Sequence, residues 1–92
     1  MTRKQTQETP IEIQQEKLNT NHVLVLYNDD VNTFEYVIDC LIDICGHDEL
    51  QAEQCAFLTH YKGKCEIKNG KYCTLKPMKD SLTDRGLSVT IE

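Results

Sequence analysis

No stretch of this chain holds more than about five consecutive apolar residues, far short of the roughly 20 needed to cross a bilayer as a helix. The first residues, Met1 to Asn21, contain no apolar segment of the secretory-signal kind. C-x-x-C spacing is missing, which removes the usual framework of a structural zinc site. There is no Gly-rich phosphate loop beside the acidic residues, so a magnesium–nucleotide site has no cradle. Positive charge is absent over a long interval, because no Lys or Arg stands between Lys17 and Lys62. Internal repeats are absent too.

What is present fits one small domain. The chain has 92 residues, 39% of them hydrophobic and 27% charged, and a chain of that length buries only about 60% of its unfolded surface. Five cysteines cannot all pair within one chain, and without a secretory signal the reducing cytoplasm is the expected compartment. The net charge of −5 is unevenly spread. Asp29, Asp30, Glu35, Asp39, Asp43, Asp48, Glu49 and Glu53 fill the interval without cations, whereas six lysines face one glutamate from Lys62 to Lys79. That asymmetry argues against nucleic acid over the acidic half and suits a cationic ligand there.

Residues 1–20, rich in Gln, Thr and Glu, are expected to form a flexible tail, with only Ile11, Ile13 and Leu18 able to pack. The domain is expected over 21–92. Val23-Leu24-Val25-Leu26-Tyr27 reads as a strand covered on much of both faces. Asn32 stands three residues before Glu35, the spacing of a capping box for a helix starting at Thr33. Phe34, Val37, Ile38, Leu41, Ile42 and Cys45 then share one helical face, and Gly46 ends it. Asp48 and Gln51 repeat the capping spacing for a second helix to about Tyr61, with a small stripe (Ala52, Cys55, Ala56, Thr59) and a larger one (Leu50, Phe57, Leu58, Tyr61). A strand at 64–68, a turn at Asn69-Gly70, a short helix with Pro77 in its first turn, and a last strand carrying Leu87, Val89 and Ile91 complete the pattern. The order β-α-α-β-α-β predicts an α+β fold: a three-stranded antiparallel sheet packed against three helices.

Two constellations carry chemistry. Asn28-Asp29-Asp30 places an amide and two carboxylates at the mouth of the strand. Such a turn serves equally as a helix cap or as a set of acceptors for an ammonium group. His60 falls on the helical face of Ala56 and Thr59, toward a hollow of small residues; the plainer reading is a residue satisfying the helix end. His22 and His47 have no comparable surroundings in the sequence. Cys40 with Cys45 and Cys55 with His60 are five apart and do not converge on one face, so no metal and no cofactor are expected. Cys45 and Cys55 lie on apolar stripes and read as core, not as nucleophiles.

The strand followed by Tyr27-Asn28-Asp29-Asp30, the helix opening Asn32-Thr33-Phe34-Glu35-Tyr36-Val37-Ile38, the later Thr59-His60-Tyr61-Lys62-Gly63 and the closing Leu87-Ser88-Val89-Thr90-Ile91 resemble the ClpS family in order and spacing, over residues 22–92. The resemblance implies a non-enzymatic adaptor that binds the free N-terminal residue of substrate proteins and delivers them to a Clp AAA+ ATPase of the ClpA or ClpC kind. It implies that Asn28, Asp29 and His60 hold the substrate's α-amino group. Asn32, Phe34, Val37, Ala56, Thr59 and Leu87 would line the pocket for its first side chain, a bulky hydrophobic or aromatic one, and the N-terminal tail would engage the ATPase. Four positions depart from the family pattern. Asn32-Thr33-Phe34 stands where Thr-Pro-Met is common, and Ala56 stands where Met is usual.

Two other classes remain open at this level. A small α+β interaction module of the ribosomal-stalk kind would need no convergence of Asn28, Asp29 and His60. An enzyme using His60 with a carboxylate or cysteine would show turnover of a substrate.

Overall fold

The computed structural model describes residues 20–92. Of the expected 1–20 tail, only Thr20 falls among the described residues. The elements are β1 (Asn21–Tyr27), α1 (Phe34–Cys45), α2 (Glu49–Lys62), β2 (Lys64–Lys71), α3 (Tyr72–Asp84) and β3 (Ser88–Ile91). The sheet is antiparallel in the order β2-β1-β3, so the observed α+β architecture is the one its periodicities predict.

β1 is the central strand, which is why its apolar residues run without interruption: Leu24, Val25 and Leu26 are all buried. Tyr27 at its end pairs with Lys64 on one side and Ser88 on the other. This register brings the Asn28 turn beside both the exit of α2 and the start of β3. On α1, Val37, Ile38, Leu41, Ile42 and Cys45 pack into the core as their spacing predicts, joined by Cys40. On α2 the small stripe of Ala52, Cys55, Ala56 and Thr59 is buried, and small side chains let the helix approach α1 and β2 closely. Asp48 caps α2 through the Gln51 amide at 2.7 Å. Gly63 closes it at φ 92°, a left-handed conformation that a β-carbon would disfavour.

Three local expectations are corrected. The N-cap of α1 is Thr33, whose hydroxyl accepts from the Tyr36 amide at 3.1 Å, and not Asn32, which is held elsewhere. Asn69-Gly70 is not a turn. Both residues continue β2 opposite Val23 and His22, and the chain enters α3 directly at Tyr72. The third helix is 13 residues long, with Pro77 in its second turn. An interior proline costs about 3 kcal/mol, but Leu75 and Leu82 on either side are completely buried and anchor the helix to the core. His47, for which its sequence surroundings carry no expectation, is a core residue, 4% exposed, with Nε2 2.7 Å from the Ile67 carbonyl. A carbonyl can only accept, so Nε2 carries the proton. The register of β2 shifts between its Leu24 and Val25 pairings, where Ile67 is the extra residue.

Candidate functional site

At the C-terminal end of β1 the chain leaves the sheet through Asn28, Asp29 and Asp30. The Asn28 amide donates to the Gly63 carbonyl at 2.9 Å, which fastens this turn to the end of α2 and sets His60 across from it. Between them opens a pocket of about 310 Å³, near the lower limit of small-molecule sites and of a size for one amino-acid residue. Its floor is apolar: Leu26, Ala56 and Thr59 are buried and Val37 is half-buried. Thr59 donates its hydroxyl to the Cys55 carbonyl at 2.8 Å, so that donor is satisfied within the helix. Asn28, Asp29, Asp30, Asn32, Thr33, Phe34 and His60 complete the lining.

Every sequence-derived candidate but one therefore meets at a single cavity. The exception is Leu87, which is absent from the lining and lies buried in the core cluster beneath β3. Leu26, Tyr27, Thr33 and Asp30 line the pocket without having been singled out as its residues. Their signal was adjacency in the chain to Asn28, Asp29 and Asn32.

The polar residues differ sharply in how free they are. Asp29 is held. Its Oδ1 accepts from the Val31 amide at 2.9 Å and the Asn32 amide at 3.0 Å, and the Asn32 side-chain amide reaches both oxygens. Burial raises the Asp29 pKa, but these hydrogen bonds outweigh it and the carboxyl lies below its ordinary 3.8. It is an anion at neutral pH, with acceptor capacity left mainly on Oδ2. Asn32 also donates to the Gly86 carbonyl at 2.9 Å and so ties the turn to the loop before β3. The Asn28 and Asp30 side chains, in contrast, are exposed, and among the described residues the Asn28 carboxamide has no hydrogen-bond partner. The His60 ring stands edge-on to Phe34, centroids 6.4 Å apart, and to Tyr61 at 6.2 Å. Phe34 does not turn into the core; it is 40% exposed and forms one wall of the mouth.

The pocket mouth thus carries two carboxylates and no Lys or Arg among its lining residues, over an apolar floor. That combination can hold an ammonium group above a hydrophobic side chain. Thiol chemistry has no support here, since burial pushes Cys45 up to about 11 and Cys55 up to about 12, leaving both protonated near neutrality. Among the described residues no helix is long and apolar enough to cross a membrane, and no His/Cys/Asp/Glu group of three or more could hold a metal ion.

Fold and site together define a small α+β binding domain with an acidic-mouthed, apolar pocket. A family model described as ATP-dependent Clp protease adaptor protein ClpS matches residues 17–90, and the chain belongs to the ClpS family of adaptors. Eighteen chains of solved structures match. One is "The structure of Agrobacterium tumefaciens ClpS2 bound to L-phenylalaninamide", with a TM-score of 0.67 and 20% sequence identity, covering 78% of this chain and 94% of that one. At that identity the likeness is one of fold. No curated protein matches the sequence.

Proposed function

We propose that this adaptor binds the free N-terminal residue of substrate proteins, when that residue is bulky and hydrophobic or aromatic, and delivers the substrate to a Clp AAA+ ATPase in the cytoplasm. The observation that carries the reading is the convergence of Asn28, Asp29 and His60 at the mouth of an apolar pocket floored by Leu26, Val37, Ala56 and Thr59. In this reading the substrate ammonium donates to the Asn28 carboxamide oxygen, to Asp29 Oδ2 and to a ring nitrogen of His60. The first side chain descends between Phe34 and Ala56.

The two contacts make a joint test of the ligand. A hydrogen bond to a charged group contributes about 1.5–3 kcal/mol, and burial of a Leu or Phe side chain a similar amount. Two or three of the former with one of the latter sum to about 4.5–12 kcal/mol, and association costs at least about 4 kcal/mol, so the net is at most about the 8 kcal/mol of a micromolar complex. Such a complex can release its cargo. Acetylation removes the ligand's charge and its donors to Asn28, Asp29 Oδ2 and His60, so a blocked N-terminus is refused. No bond is made or broken at the site, and residues 1–20 would serve as the segment that engages the ATPase.

Calorimetry with peptides that begin with free or acetylated Leu or Phe tests this directly. Binding of the free forms alone is expected. Equal binding of both forms would remove the amine from the recognition.

A further inference from the structure

Phe34 separates two cavities. On one side is the amine pocket; on the other lies a shallow groove between α1 and α2, walled by Phe34, Ile38, Leu50 and Phe57 and rimmed by Glu35 and Glu53. Its apolar residues are unusually open to solvent, Leu50 at 64% and Phe57 at 51%, and the exposed Tyr61 ring continues the surface edge-to-face with Phe57 at 4.6 Å. Single exposed apolar residues are ordinary, but these share one surface.

Resting on the function proposed above, we propose that this groove is a second subsite for the same ligand, taking the side chain of its third residue when that residue is aromatic or long and aliphatic. Three observations support it. The groove shares Phe34 with the amine pocket, so a chain leaving the pocket mouth over that ring enters the groove without a gap. In an extended peptide, residues one and three point to the same side, about 7 Å apart, so the first can fill the pocket while the third reaches past a single ring. The rim carries Glu35, Glu53 and the neutral Gln54 as its polar residues and no cation, within the stretch between Lys17 and Lys62 that has none. It therefore favours a ligand with Lys or Arg beside the apolar residue, and it disfavours a second copy of this chain, which would set Glu35 and Glu53 against their like.

The test uses the full-length protein and peptides with Leu first and Ser, Phe or Glu third, each with a free or an acetylated amine and with a Lys or a Glu at position four. Among free peptides, Phe at position three is expected to bind about three- to tenfold tighter than Ser, and Lys at position four tighter than Glu. Leu50→Gln and Phe57→Gln should each cancel the gain from Phe while leaving the Ser peptide's affinity unchanged. Both residues are exposed, so the variants are expected to fold, and unchanged binding of the Ser peptide verifies it. If free peptides bind and acetylated ones do not, yet residue three is without effect or its effect survives both variants, the groove proposal fails and the amine pocket stands. Binding that ignores the amine, or no binding by any peptide, overturns both.

Discussion

The Asn32 side-chain amide lies 3.2 Å from Asp29 Oδ1 and 3.0 Å from Asp29 Oδ2, and the same nitrogen donates to the Gly86 carbonyl at 2.9 Å. One side chain thereby joins the turn after β1 to the loop before β3, Gly86 standing 54 residues beyond Asn32. Asp29 is accordingly part of the framework as well as of the proposed amine site.

Asp29→Ala is expected to lower stability as well as peptide affinity. It removes acceptors for two backbone amides and for Asn32, at a cost of about 1–2 kcal/mol, or several degrees in Tm for a domain of this size. The folded pKa of Asp29 is below 3.8, so its contribution is fully present above that value and fades as pH falls through the folded pKa. Thermal melts of both proteins at pH 7 and near pH 3 check this, with a narrower gap expected in acid. An equal gap at both pH values would mean that the carboxylate's charge has no part in it.

Asn28→Ala and His60→Ala are expected to behave differently. Both side chains are exposed, and neither is hydrogen-bonded among the described residues. Each substitution should weaken binding of a free Leu peptide by about 1.5–3 kcal/mol and leave Tm within a degree or two. Calorimetry paired with melts separates the effects, and a lost fold in either variant would make that residue structural.

Phe34 and Ala56 both line the pocket. A flat wall with a small floor residue favours a planar first side chain. Affinities for a Phe, Tyr, Trp and Leu series should rank the aromatics above Leu by about 0.5–1.5 kcal/mol, and Phe34→Met should remove that preference. Tightest binding of Leu by the unaltered protein would count against the slot.

Removal of residues 1–19 should leave peptide affinity unchanged and abolish degradation of a Leu-initiated substrate by the Clp protease. Among the described residues none that lines the pocket precedes Leu26, so the two functions are expected to be separable. Undiminished degradation by the shortened chain would assign delivery to the folded domain.

Pro77→Ala is expected to raise stability. Pro77 sits in the second turn of α3, where it withholds a hydrogen bond from the Cys73 carbonyl. After allowance for the extra freedom of the unfolded chain, a gain of about 1–2 kcal/mol should appear in denaturant melts. A loss would mean that its ring packs usefully.

Local periodicity was enough to determine the order of elements. The unbroken Leu24-Val25-Leu26 requires a central strand, the α1 stripe requires one buried face, and Gly46 and Gly63 stop their helices at left-handed angles. These are forces between near neighbours, and a sequence displays near neighbours. The Asn28-Asp29-Asp30 and His60 motifs were legible for the same reason, as chemistry placed at element ends. Tertiary structure alone decided the rest. Asn32 reads as a local cap until its true partner, Gly86, comes within reach. Leu87 reads as pocket lining, yet the packing of β3 buries it in the core. Asn69-Gly70 reads as a turn until β1 pairs with it. The sequence shows two stripes on α2, and the larger one, Leu50, Phe57, Leu58 and Tyr61, faces solvent, because the sheet and α1 cover only the small-residue side of that helix. A helix with two apolar stripes cannot show in its own sequence which one is covered, since that depends on the surfaces distant segments bring to it.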